Sequence, residues 1–393
     1  MRPVRVPKEA NRHVGKSPRP GEEDTVLKRA LWVLGILALV LLAASCAPHA
    51  SQDTLKPAGP NARDIKNLFV PVFWVAVGVF VIVEGGIVFI IVKYRHRKGR
   101  ERMPSQIHGN TRLELGWTIV PAFILAAVMY PTVGLIWKLA APPPADALHV
   151  TVEGHQWWWG FQYTDADMKT GYGSQGPITT ADVMVIPVGR TVYLSLTSVG
   201  GLISGPNPPS SADFEVIHSF WVPELFGKQD VVPQRTNHIT FSADHAGTFT
   251  GQCAEFCGLQ HGMMKLKVVA LGTSDWNTWV ANEKLPGATP LSALAKAGEQ
   301  VFLNPLSGNR GSCITCHAIG GTQGGSPAAP NLTHFAAPTH SCFAGCDFDT
   351  ADKAALEAWL RDPNAVKLGA KMPNYHLSQG EIDALAEYLY SLK

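Results

Sequence analysis

Residues 68–92 run for 25 positions with a single charge, Glu84, and residues 115–137 run for 23 with none. At 1.5 Å per residue, each run is long enough to cross a hydrocarbon core of about 30 Å as a helix. In lipid the backbone must satisfy its own hydrogen bonds, which restricts such segments to helices. Pro71, Pro121 and Pro131 kink or start these helices without excluding them. Between the runs stand Lys93, Arg95, Arg97, Lys98, Arg100, Arg102 and Arg112, a density of positive charge that marks a cytoplasmic loop. A two-helix hairpin over 65–140 therefore has both ends outside, with everything after about 140 extracytoplasmic. Glu84 is costly in lipid and is expected against another protein helix or near the interface.

The first 30 residues hold eight Lys/Arg and four Asp/Glu without periodicity and read as a tail. Residues 31–44, LWVLGILALVLLAA, are short for a span and suit a signal-peptide core behind Lys28 and Arg29. The run ends at Ala43-Ala44-Ser45-Cys46, which resembles a bacterial lipoprotein cleavage site; an uncleaved anchor is the alternative. Residues 1–46 are thus tail and signal, with Cys46 a candidate for lipidation. The chain carries 33 Lys+Arg against 31 Asp+Glu, which gives no case for a nucleic-acid partner.

After the stiff spacer Pro142-Pro143-Pro144 the pattern changes to short β-rich runs: 149–153, 183–187, 191–196, 238–242, 247–250 and 264–270. They predict an all-β barrel or sandwich over 147–271, with 198–213 as an aperiodic inserted loop and 272–290 as a linker. From 291 the period becomes helical. Ala293, Leu294, Ala297 and Val301 share one face, Leu356, Trp359 and Leu360 another, and Ile382, Leu385, Ala386 and Leu389 a third. Ser378 three before Glu381 is a capping-box signature. Residues 291–393 are therefore expected to be a small α-helical domain.

Cys253-Ala-Glu255-Phe-Cys257-Gly-Leu-Gln-His261-Gly-Met-Met264 places two thiols, an imidazole and a thioether within one loop. Such soft ligands select copper or zinc, and a Met favours copper. Two cysteines suggest a pair of coppers bridged by both sulfurs, which requires a second histidine. His218, in Val216-Ile-His218-Ser-Phe-Trp-Val-Pro223, can supply it. A Cys253–Cys257 disulfide is the alternative. Further on, Cys313-Ile-Thr-Cys316-His317 is a haem c attachment sequence. Met372, in Lys371-Met372-Pro373, is the expected second axial ligand, with His334, His340 and His376 as rivals. His/Met ligation raises the iron potential. Cys342-Phe-Ala-Gly-Cys346 is expected to close a surface loop as a disulfide outside the cytoplasm.

The motifs around His218 and Cys253–Met264, with Leu113-Glu114-Leu-Gly-Trp117 and Gly154-His-Gln-Trp157-Trp-Trp159, resemble cytochrome c oxidase subunit II over roughly 65–282. Residues 290–393 resemble a class I cytochrome c. The resemblance implies a transmembrane α-hairpin, an all-β cupredoxin-like Greek-key barrel and a small all-α cytochrome c domain. It implies a dinuclear CuA centre in which Cys253 and Cys257 bridge, His218 and His261 cap, and Met264 and the Glu255 carbonyl complete the shells. The Glu255 side chain would face a magnesium ion shared with subunit I. Trp157 matches a surface tryptophan where electrons enter, and Glu114 an acid at the mouth of a proton channel. Asp230 and Arg235 match a segment facing the haems of subunit I.

The function so implied is that of subunit II of a caa-type haem–copper oxidase in a bacterial inner membrane. Electrons from cytochrome c or another donor would reach haem c, then CuA, then haem a of subunit I. Subunit I, which also holds the haem a–CuB site, would reduce oxygen and translocate protons with other oxidase subunits as partners. A membrane-anchored electron shuttle or copper-delivery protein, and another CuA reductase, are the competing classes.

Overall fold

The structure, a computed structural model, describes residues 22–44, 50–95, 106, 109–166, 168, 177–200, 215–306, 308, 310–322 and 328–393, without side chains at 22–30 and 43–44. Residues 1–50 and 51–393 are two separate units. The first holds α1 (Glu22–Ala44), which extends the short apolar run by nine residues and exposes the side chains of 31–42. Cys46 and residues 201–213 of the aperiodic loop lie outside the described residues.

Both long apolar runs are helical, and both helices overrun them. α2 (Pro60–Tyr94) starts on a proline, whose missing N–H would have no helical partner there anyway. α3 (Thr111–Leu139) starts after Asn110, whose side chain accepts from the N–H groups of Arg112 and Leu113. The most apolar stretch of each helix contains no buried residue, as suits a lipid-facing hairpin. The first turn of α2 and Ala58 just before it join the helix to the β domain. Ala58 N–H donates to Glu224 O at 2.7 Å, Ala62 N–H to Leu225 O at 3.2 Å, and Asp244 N–H to Ala58 O at 2.8 Å.

Among the described residues the strands of that domain are β1 (Leu148–His155), β2 (Trp158–Tyr163), β3 (Ile178–Ala181), β4 (Val183–Pro187), β5 (Val192–Ser198), β6 (His218–Trp221), β7 (Gln229–Val231), β8 (Asn237–Phe241), β9 (Gly247–Cys253) and β10 (Lys265–Leu271). They form two five-stranded sheets, ordered β3-β2-β1-β5-β8 and β4-β10-β9-β6-β7. β1 pairs parallel with β5 and β4 with β10; the other pairs are antiparallel. Alternate residues of β1, β5 and β10 are buried, so each strand turns one face to the shared core. Trp159, Phe161, Phe220 and Phe226 fill it. This is the expected cupredoxin-like domain, with β2, β3, β6 and β7 beyond the six expected runs.

The segment expected as a linker is partly folded. α4 (Thr273–Glu283) returns onto the barrel, burying Trp276 and Trp279, with Trp279 5.2 Å from the Tyr163 ring. A spacing of three puts both indoles on one helical face.

The last domain contains α5 (Ala293–Leu303), the two-residue strands β11 (Cys342–Phe343) and β12 (Phe348–Asp349), α6 (Lys353–Arg361), α7 (Pro363–Val366) and α8 (Gln379–Ser391). Ser292 caps α5, and Ser378 with Glu381 forms the expected capping box of α8. α5 and α8 cross at Gly298, where a Cβ would overlap the carbonyl oxygen of Ala384. Phe302, Leu356, Leu360, Leu385 and Leu389 pack the core beneath this crossing. The expected Cys342–Cys346 disulfide closes the turn between β11 and β12.

Candidate metal centre and haem pocket

Residues 254–264 leave β9 at Cys253 and return into β10. The loop is pinched at its base by Cys253 N–H donating to Met264 O at 2.9 Å. β6 runs beside β9 with Phe220 opposite Cys253, and Ala254 N–H donates to Ser219 O at 2.9 Å. His218, one residue earlier on β6, is thereby carried up against the loop from a distant part of the sequence.

Cys253 and Cys257 are free thiols with sulfurs 3.8 Å apart; the alternative disulfide is not formed. His218 Nδ1 lies 4.0 Å from Cys253 Sγ, and His261 Nδ1 lies 3.7 Å from Cys257 Sγ. Met264 Sδ lies 3.8 Å from Cys257 Sγ, and the Glu255 carbonyl 3.2 Å from Cys253 Sγ. His218, Cys253, Cys257 and Met264 are buried and His261 half-buried. A hydrogen bond from the Cys257 thiol, helped by His218, holds the Cys253 pKa well below the thiol range. Donating to Cys253 and being buried push Cys257 up. Metal ligation requires both sulfurs as thiolates, so the remaining proton would leave as a soft cation binds. Two sulfurs, each with its own imidazole, and flanking thioether and carbonyl donors suit a pair of copper ions.

Trp157 was expected at the surface, but only 8% of it is exposed. Its Nε1 donates to the Cys257 carbonyl at 3.1 Å, beside Gln156 Nε2 at 2.8 Å on the same oxygen. Gly369 of the last domain lies against the indole, so close that a Cβ there would sit 3.1 Å from the ring. The cause of the burial is that the last domain is docked on this face of the barrel.

Cys313, Cys316, His317 and Met372 line one cavity of about 360 Å³, which Gln156, Trp157 and Trp158 close from the barrel side. His317 Nδ1 lies 2.8 Å from the Pro330 carbonyl. A carbonyl can only accept, so Nδ1 carries the proton and Nε2 keeps its lone pair. Burial lowers the His317 pKa, which keeps the ring neutral. Burial pushes the Cys313 pKa up to about 11 and raises that of Cys316, so both are thiols near neutral pH. Two thiols, a neutral imidazole and a thioether around one cavity suit a covalent haem. Among the rivals, His340 lines the cavity but its Nε2 lies 3.4 Å from Glu283, and neither His334 nor His376 lines it.

The remaining expected residues are not among the donors of either site. Glu114 is exposed and accepts from Asn110 N–H at 3.2 Å, which closes the start of α3. Asp230 lies opposite Ser219 across β6 and β7, next to His218, while Arg235 is exposed. Gln156, Asp182 and Lys367 gather at the contact between the two domains and are not among the expected residues. Only Gln156 had a sequence cue, its position beside Trp157.

Sequence profiles of three families match in order along the chain. They are "Cytochrome C oxidase subunit II, transmembrane domain" over 48–135, "Cytochrome C oxidase subunit II, periplasmic domain" over 148–271 and "Cytochrome c" over 295–393. Cytochrome c oxidase subunit 2 of Alkalihalophilus pseudofirmus is 34% identical over 372 residues, covering 93% of this chain and 98% of that one. The Bacillus subtilis protein of the same name is 33% identical over 380 residues, covering 91% and 96%. Among solved structures, the periplasmic domain of subunit II of Bradyrhizobium japonicum cytochrome oxidase is 24% identical. It covers 36% of this chain and 97% of its own, with a TM-score of 0.29.

Proposed function

Because this chain belongs to the cytochrome c oxidase subunit II family and carries a cytochrome c domain, we propose that it is the subunit through which electrons enter a haem–copper oxidase. Cys253, Cys257, His218, His261, Met264 and the Glu255 carbonyl would hold a dinuclear copper centre. Cys313 and Cys316 would hold haem c covalently, and His317 and Met372 would bind its iron. When bound, these groups would supply one-electron redox chemistry between cytochrome c or another donor and haem a of subunit I.

The chain's own residues position both groups. The strand pair β6/β9 and the Cys253–Met264 backbone hydrogen bond would hold the copper donors in place. The Trp157 indole is bonded to the backbone of Cys257 and lines the haem cavity, so it stands between the two donor sets. That placement carries the proposal. The covalent link between the domains replaces a bimolecular encounter with a high effective concentration. Oxygen reduction and proton translocation would belong to subunit I, with Glu114 at a channel mouth and a magnesium ion at the Glu255 side chain. Asp230, beside His218, would face that partner with Arg235. A bacterial inner membrane, with both C-terminal domains outside, fits the basic loop between α2 and α3.

The purified full-length holoprotein tests this by metal analysis, optical spectroscopy and electron paramagnetic resonance. The expected result is a copper signal whose unpaired electron is shared over two nuclei, beside a low-spin c-type haem. Cys257→Ser should abolish the shared-copper signal and leave the haem spectrum intact. A single-copper signal in the unsubstituted chain would contradict the dinuclear assignment.

A further inference from the structure

The Cys342–Cys346 turn has no part in either donor set, yet it is driven into the contact between the domains. Ala344, Gly345 and Cys346 all have positive φ, between 54° and 76°, which curls the backbone so that its polar groups point at the barrel. Gly345 N–H donates to Asp182 Oδ2 at 2.7 Å, and Gly345 O accepts from Lys265 N–H at 2.9 Å. Lys265 begins β10 immediately after Met264, and β4 pairs with β10 only from Lys267 onward. The turn therefore takes a backbone donor of β10 that β4 leaves unpaired. A side chain at Gly345 would approach within 2.6 Å of both Trp157 O and Lys367 Nζ.

Lys367 completes the contact. Its side chain is 4% exposed, and its ammonium donates to Ala344 O at 2.6 Å, Met263 O at 2.9 Å and Trp157 O at 3.4 Å. It also pairs with Asp347 at 2.9 Å. One buried charge thus holds the disulfide turn, the copper loop next to Met264 and the backbone of Trp157. It does so from a segment that leads directly to Met372. A buried ammonium is tolerated only where its partners all meet it, which makes it sensitive to register. With the domains apart, the Met263 and Trp157 carbonyls would be lost to it, while Ala344 and Asp347 stay with it in its own domain.

We propose that the disulfide turn 342–346 and Lys367 are a lock that fixes the cytochrome domain over Trp157, so that Trp157 is closed to outside proteins and faces only the chain's own haem pocket. Lys367 is a positioning residue: it acts through the backbones of Trp157 and Met263. The role of Trp157 rests on the function proposed above; the lock itself rests on the contact.

The test uses the full-length holoprotein with two independent variants, Lys367→Gln and the double variant Cys342→Ser/Cys346→Ser. Hydrogen exchange is followed in peptides covering 155–160 and 262–267, with the copper and haem spectra recorded in parallel. The lock predicts that exchange in both peptides speeds up about tenfold or more in each variant, as expected for local opening. Spectra should stay unchanged while haem-to-copper electron transfer slows by a similar factor. Exchange and transfer rates equal to the unsubstituted chain, in whichever variant folds, would overturn it. If the unsubstituted chain lacked a copper or haem signature, the cofactor reading would fall while the exchange data still decided the lock.

Discussion

Asp182 is the residue on which barrel and turn meet: its carboxylate accepts from Trp159 N–H at 3.0 Å and from Gly345 N–H at 2.7 Å. Burial nevertheless pushes its pKa from 3.8 up to about 6, against the lowering effect of those bonds and of Lys367. A raised folded-state pKa means that the folded chain binds the proton more tightly than the unfolded one. The associated stability is fully present below pH 3.8 and is lost as pH rises through 6. A shift of about two units corresponds to roughly 3 kcal/mol. Infrared difference spectra between pH 5 and pH 7 should show a protonated-carboxyl band that titrates near 6 and vanishes in Asp182→Asn. A band already lost at pH 4.5 would show that the docking charges keep Asp182 ionised. None of this was legible in the sequence, where Asp182 is one acid between two β runs. Its burial is decided by a turn 163 positions away.

At the scale of elements, the crossing of α5 and α8 is the least forgiving contact in the cytochrome domain. Gly298→Ala would force the two backbones apart, because the obstacle is a carbonyl oxygen rather than a movable side chain. Overpacking of this kind costs about 1–3 kcal/mol. The thermal midpoint followed at the haem band should fall by several degrees, while the midpoint of the barrel is unchanged. An unchanged haem-domain midpoint would mean that the crossing relaxes freely. The helices on both sides of this contact were readable from periodicity and from the Ser378–Glu381 cap, since these are local signals. α4 was not, because Trp276, Trp279 and Val280 look like loop residues until Tyr163 is there to receive the indoles. β6 and β7 escaped for a related reason. They have four and three residues, too few to show alternation, and pairing with β9 holds β6 in place.

For the whole molecule, the donor clusters were legible and their mutual placement was not. Cys253 to Met264 and Cys313 to His317 are short motifs whose spacing carries their chemistry. Trp157, by contrast, matched a surface position and is buried, because the fused domain covers it. Lys367 reaches the Trp157 carbonyl across 210 positions, a contact no local pattern announces. The two donor sets, Trp157 between them and the covalent link between domains together predict that electrons cross from haem to copper within one chain. Photochemical reduction of the haem in the purified holoprotein, followed optically at both centres, tests this most directly. Haem reoxidation should match copper reduction in time, with a first-order rate that does not change on dilution. A rate that falls in proportion to protein concentration, or a haem that stays reduced beside oxidised copper, would contradict it.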